Sequence, residues 1–316
     1  MAFTVPSLLE DYQSSKPDIQ AEKITFTGVG EKDVYNITSP FEDEGELVIT
    51  GRVEGCDTEH SDVAFFVEEN GVWKPRKNTK TFALQDPFFT RIAGELVFGG
   101  VEIFPHPTNE GALSWRTVFY RGSTINELER FATGPNGMKD IRLIELESGK
   151  IGVFTRPQGE KGGRGKIGYT EIASLEELTP EIIDQAPLID VHFIDEEWGG
   201  ANEVHLLKNE KIGVLGHIAK FDEKGDRHYY PMVFIYEPDT NEISEMEIIA
   251  TRADFPDGPA KRDDLHDVLF SGGLVRLDNG QAELYAGVSD AEAHKAILPD
   301  PFIKYEKESI RKGKER

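Results

Sequence analysis

Charged and amide side chains recur at one phase of this chain. Arg52, Glu102, Arg156, His217 and Asp290 each end a short apolar run. Asn36 and Ser39, Asp86, Lys139 and Asp140, Asn202 and Glu203, and Asp267 and Ser271 each open the run before it. A tight turn separates the two runs every time. Residues equally far before and after a hairpin turn lie side by side at the same end. All these polar groups therefore fall at the non-turn ends of their hairpins. Several charges meeting at one place are costly to bury unless they pair or meet a polar ligand. Their convergence marks a candidate site, with carboxyl groups able to move protons and cations able to hold an anion.

The elements that position them are five copies of one hairpin. The turns are Glu44-Gly45, Ala93-Gly94, Ser148-Gly149, Lys208-Asn209-Glu210 and Asn279-Gly280, and each leads into a run such as Leu47-Val48-Ile49 or Leu96-Val97-Phe98. Turn chemistry flanked by strand formers is a hairpin signature. The turns lie roughly 50 to 70 residues apart, the scale of four-stranded propeller blades. The expected fold is all-β, a single five-bladed β-propeller with a central channel, over residues 1–302, with a charged tail over 303–316. A β-sandwich is the competing architecture, but it does not naturally explain five similar hairpins at this spacing. Helical periodicity is scarce. Leu175 to Ile183 suits a short helix only if Pro180 lies in a first turn. Gly159 to Gly165 (GEKGGRG) reads as a flexible loop, with a lid over a pocket as the bolder reading.

Composition narrows the partners. The 316 residues carry a formal charge of −23, which argues against nucleic acid and anionic membrane surfaces. Cys56 is the only cysteine, so neither an intrachain disulfide nor a cysteine-based zinc site can form. No His-x-x-x-His or EF-hand pattern suggests a metal, and no Gly-rich phosphate cradle is present. No apolar run approaches a membrane span, and Met1 to Pro6 lacks the pattern of a signal peptide. A cytoplasmic location is expected, with no cofactor.

At Leu84-Gln85-Asp86-Pro87-Phe88-Phe89-Thr90-Arg91 the sequence resembles the acidic-Asp-Pro-Arg signature of the inverting β-mannoside phosphorylases, which are five-bladed propellers. Met138-Lys139-Asp140, then Gly152-Val153-Phe154-Thr155-Arg156-Pro157, resembles that family's Lys-Asp pair and His-Arg-Pro motif. Leu47 to Arg52, Gly213 to His217, Leu269 to Gly273 and Tyr285 to Asp290 resemble further motifs in the same order. Trp198 to His205 and Asp267 to Gly273 are similar to a divergent branch that includes protozoan mannosyltransferase/phosphorylases acting on β-1,2-mannan. The sequence departs from the family at Gln85, Phe88, Thr155 and Ser271.

The resemblance implies that Asp86 is the acid that protonates the glycosidic oxygen, a role that asks for a raised pKa. Lys139, Arg156 and His217 are the implied phosphate ligands, the Arg fork matching phosphate oxygens. Arg116 is a weaker addition. Arg52 would grip a sugar hydroxyl or hold Asp86, and Asp140, Asn202 and Asp290 would orient sugar hydroxyls. Trp115 and Trp198 would stack on a sugar or pack between blades. Inorganic phosphate, a sugar phosphate or a sugar nucleotide would be co-substrate to a mannose-containing oligosaccharide or small molecule. The alternatives are an inverting hydrolase with Glu102, Asp140 or Asp290 as base, and a sugar-binding propeller without catalysis.

Overall fold

The computed structural model describes residues 4–189 and 193–306. Helix α1 (Val5–Ser14) and strand β1 (Gln20–Lys23) precede a succession of antiparallel units. Unit one holds β2 (Asp33–Tyr35), β3 (Phe41–Asp43), β4 (Glu46–Glu54), β5 (Ser61–Glu69) and β6 (Val72–Pro75). Unit two holds β7 (Gln85–Ile92), β8 (Glu95–Pro105), β9 (Leu113–Gly122) and β10 (Glu129–Thr133). Unit three holds β11 (Arg142–Glu145), β12 (Ile151–Thr155) and, after the one-turn helix α2 (Gly159–Gly162), β13 (Gly168–Ile172). Helix α3 (Pro180–Gln185) leads to unit four: β14 (Glu197–Leu206), β15 (Ile212–Phe221) and β16 (Arg227–Glu237), against which β17 (Glu242–Ile243) and β18 (Glu247–Ile248) pair. Unit five holds β19 (Asp267–Arg276), β20 (Gln281–Val288) and β21 (Glu292–Pro299).

Every expected hairpin is present, joining β3 to β4, β7 to β8, β11 to β12, β14 to β15 and β19 to β20. Glu44-Gly45 and Ala93-Gly94 take positive φ at both positions, the turn geometry that matches strand twist. Units four and five share one sheet because His228 and Tyr229 pair parallel with Asp267 and Val268. Strand β1 completes the outer edge of unit five by pairing antiparallel with β21.

Successive units pack face to face, and the last returns to the first. β4 and β5 touch β7, β7 touches β11, β11 and β12 touch β14, β14 and β15 touch β19, and β20 and β21 touch β2. An apolar layer fills each interface. Leu96 and Phe98 lie in the layer toward unit one, while Val97, between them, lies in the layer toward unit three. Val214 and Leu215 divide the same way between units three and five. Both faces of these strands are buried, so their runs are continuously apolar and not alternating. Full burial of a side chain such as Phe98 contributes about 1.5–3 kcal/mol.

Three local readings meet the structure as follows. Pro180 does sit in a first turn, with Thr179 as N-cap accepting from Ile182 N. GEKGGRG is the long connection of the β12–β13 hairpin; it passes through α2, and Gly165 O accepts from Gly199 N at 3.2 Å. The charged tail expected over 303–316 is anchored near its start, where Glu306 takes both amino groups of Arg276, each at 3.0 Å; the tail beyond Glu306 lies outside the described residues.

Candidate active site

The strands that open units two and four each carry a bulge at a candidate site residue. Register breaks between Gln85 and Phe88, which sets Asp86 aside, and between Ala201 and Glu203, which sets Asn202 aside. A bulge re-aims one side chain without moving its neighbours. In unit five the break falls at Gly272, where a Cβ would lie 1.6 Å from Ile37 O. Asn36, Asp86, Asp140 and Asp290 all have positive φ, between 45° and 58°. Asn and Asp tolerate this region better than other side-chain-bearing residues, which explains their type at these corners.

Asp86 is 6 % exposed and is held through one of its oxygens. Its Oδ1 accepts from Asn36 Nδ2 at 2.8 Å and from Arg52 Nη1 at 3.2 Å. Gly287 makes room for this: a Cβ there would lie 1.9 Å from Asn36 Oδ1. The raised proton affinity expected for Asp86 is not found in the free chain. Burial pushes its pKa up, but Arg52, then Lys139 and the Asn36 amide, outweigh burial and hold it below the ordinary carboxylate value. Asp290, close to Arg52 and Asp86, is the carboxyl pushed up, by burial first and by Asp86.

Asp140, Arg156, Asn202 and His217 form a second group, between units three and four. A Cβ at Gly200 would come within 2.7 Å of Arg156 Cδ and 3.2 Å of both Asp140 Cβ and His217 Cε1, so these three side chains converge on that glycine. Arg156 Nη1 lies 3.4 Å from Asp140 Oδ2, yet no hydrogen bond forms. Both Asp140 oxygens, Arg156 Nη1 and Asn202 Nδ2 are buried without a hydrogen-bond partner among the described residues. Arg156 is held from behind: its Nε donates to Gly199 O at 2.9 Å, and Gly165 lies flat against the guanidinium, a Cβ there falling 2.6 Å from Nη2. The folded GEKGGRG segment is thus the wall behind Arg156. His217 Nδ1 meets Asn202 Oδ1 at 2.8 Å. Burial, then Arg156 and Lys139, lower the His217 pKa to about 3 against the pull of Asp140, so the ring is neutral. Asp140 is pushed up by burial but lowered overall to about 2 by Lys139 and Arg156.

Lys139 bridges the two groups. Burial opposes its charge, but Asp140 and Asp86 outweigh burial and raise its pKa. All eight named candidates therefore lie in two coupled groups. Arg116 and Glu102 do not join them: Arg116 Nε donates to Glu102 at 2.6 Å, and Arg130 donates to the same carboxylate. Trp198 is buried and donates to Tyr229 at 3.1 Å, and Tyr229 in turn stacks on His217. At the family departures, Gln85 Nε2 donates to Glu59 O and Ser271 Oγ to Gly216 O.

Sequence reasoning missed Asn36 as the Asp86 partner, Gly200 as the convergence point, and Arg142. Arg142 is buried, donates to Asn202 O at 2.5 Å and lies 4.2 Å over the ring of Phe88. An Arg two residues past the Lys-Asp pair, opposite an aromatic where the family carries Arg, was the available signal.

Predominantly β structure folded about a buried polar site of carboxylates and cations describes a class of carbohydrate-active proteins that solved structures share. A mannose phosphorylase from Leishmania mexicana in complex with phosphate is 34 % identical, with a TM-score of 0.87, over 94 % of this chain and 93 % of that one. A GDP-Man-dependent mannosyltransferase from the same organism is also 34 % identical, with a TM-score of 0.85 over 95 % of each chain. A 4-O-β-D-mannosyl-D-glucose phosphorylase from Bacteroides fragilis is 27 % identical over 162 residues, 48 % of this chain and 39 % of that enzyme; the match spans well under half of that relative's length. The chain belongs to the family described as a protein of unknown function (DUF1861), which matches residues 11–304, and it shares a family with the two Leishmania enzymes. Among the described residues no helix is long and apolar enough to cross a membrane, and no cluster of His, Cys, Asp or Glu suits a metal ion.

Proposed function

We propose that this chain is an inverting β-mannoside phosphorylase, acting on a β-1,2-linked mannoside, built as one five-bladed propeller with the two polar groups in its channel. The observation that carries this reading is the set of buried atoms left open between units three and four: both Asp140 oxygens, Arg156 Nη1 and Asn202 Nδ2. Leaving a buried polar atom unpaired costs roughly 1–3 kcal/mol, so such a set persists where a ligand completes it.

In this reading phosphate is held by Lys139 and Arg156. The Nδ1–H of His217 donates to Asn202, which leaves Nε2 a lone pair for a protonated phosphate oxygen or a hydroxyl. Asp140 and Asn202 hold sugar hydroxyls, with Asp290 and Arg52 on the opposite wall. A phosphate oxygen attacks the anomeric carbon, the glycosidic C–O bond breaks, and the Asp86 proton goes to the leaving oxygen. One carboxylic acid suffices because phosphate is its own nucleophile. The low proton affinity of free Asp86 fits this order of events. An anion that neutralises Lys139 removes one of the cations holding Asp86 down, so phosphate binding raises the proton affinity of the acid.

The GDP-Man-dependent relative, at the same 34 % identity, favours a second reading, transfer of mannose from a sugar nucleotide through the same site. Incubation with β-1,2-mannobiose, with and without phosphate, tests the proposal. Phosphate-dependent release of mannose and mannose 1-phosphate supports it. Turnover only with GDP-Man selects transfer, and equal cleavage without phosphate selects hydrolysis.

A further inference from the structure

Lys261 is a buried cation outside the candidate set. It lies in the connection between β18 and β19, where its backbone N–H donates to Ser289 O at 3.0 Å, beside Asp290. Its side chain is 4 % exposed and crosses to unit one, where Nζ pairs with Glu54 Oε1. It also reaches Thr58 O at 2.8 Å and Glu59 Oε1 at 3.2 Å. Glu54 is wholly buried. Its Oε1 also accepts from Tyr35 at 2.7 Å, and its Oε2 accepts Nε and Nη2 of Arg52 at 2.9 and 2.6 Å. The remaining amino group of Arg52, Nη1, is the one on Asp86. One unbroken chain of charge-assisted bonds thus runs Lys261, Glu54, Arg52, Asp86, and such bonds are about twice as strong as neutral ones.

We propose that Lys261 is a positioning residue for the acid: acting on Glu54, it sets how much of the Arg52 charge reaches Asp86. This rests on the reading of Asp86 as the acid. Less positive charge on Glu54 lets that carboxylate draw Arg52 toward itself, so Asp86 binds its proton more tightly. Removal of the Glu54 charge leaves Arg52 to Asp86, so Asp86 binds it less tightly. The other groups facing Asp86 are Asn36, Lys139, Asp140, Arg142 and Asp290; those facing Glu54 are Tyr35 and, across Lys261, Glu59, whose Oε2 also lies 3.5 Å from Arg52 Nη2.

The test is carbon-13 NMR titration of the Asp86 carboxyl, assigned by its loss in Asp86→Asn. Lys261→Met moves the midpoint up and Glu54→Gln moves it down, each by about tenfold in the protonation ratio at fixed pH, about one pH unit. Lys261→Arg restores the wild-type value. In an Arg52→Lys background, where one ammonium replaces the fork, both shifts shrink; shifts that persist there reduce Lys261 to a distant charge and overturn the relay. Shifts of the same sign, or none in folded protein, also overturn it. Should Lys261→Met fail to fold, the near-isosteric Glu54→Gln carries the test. Turnover read alongside separates the two claims. The alkaline limb of kcat follows Asp86 in both variants if Asp86 is the acid. Shifted titrations without phosphorolysis in the wild type retain the relay and remove the functional reading.

Discussion

Asp86 and Asp140 are both buried, both at positive φ, and both beside Lys139 and an arginine. Their surroundings differ in one respect. Asp86 is clamped by Asn36 and by an arginine that is itself tied to Glu54, whereas neither oxygen of Asp140 has a hydrogen-bond partner among the described residues. The first has one oxygen held twice by the protein, and the second has neither oxygen held. Burial alone does not distinguish them; the count of unmet hydrogen bonds does.

The sharpest way to break this contrast is Asp86→Asn. Loss of a general acid costs about 10²–10⁴ in rate, and phosphorolysis should fall by that amount while phosphate affinity, measured by calorimetry, does not weaken. Arg156→Ala should act on the open side instead. It removes a charged ligand worth about 1.5–3 kcal/mol, so KM for phosphate should rise on the order of 10–100-fold in initial-rate assays. Gly200→Ala forces a methyl among Asp140, Arg156 and His217. Overpacking costs about 1–3 kcal/mol, visible as a lower urea midpoint together with weaker phosphate binding.

The smallest effect concerns acid stability. The pKa of His217 is lowered to about 3 from about 6.5 in the unfolded chain. Between those values the unfolded chain binds more protons, so folding stability falls as pH falls from about 6.5 toward 3. Asp140, lowered to about 2, extends the loss below about 4. His217→Gln should flatten the decline between pH 6.5 and 4 by a few kcal/mol at most, read from urea midpoints at both pH values. An unchanged slope would mean that the ring is charged in the native protein.

The hairpins were legible because a turn such as Ala93-Gly94 has its own chemistry, and the phase of Asp86, Arg156 and His217 follows from counting out from the turns. The bulges at Asp86 and Asn202 were not legible, because an extra residue leaves no mark on a period of two. Gly200 reads as a weak strand residue until three side chains from two units are seen to converge on it. The GEKGGRG segment reads as flexible from composition, but Gly165 is glycine because Arg156 lies against it. The proton affinity of Asp86 failed for another reason: Arg52 was legible as a residue to hold Asp86, but that Arg52, Lys139 and Asn36 together outweigh burial depends on distances that the sequence does not carry.

The pairing of β1 with β21 joins Gln20 to Ile297 and Lys23 to His294, and this has a consequence for the molecule's birth. A nascent chain holds the first four hairpins long before it can hold that seam. Until residue 299 has left the ribosome, unit five lacks its last strand and β1 has nothing to pair with, so open strand edges persist through most of synthesis. That closure joins the first strand to the last, and long-range pairing of this kind is slow.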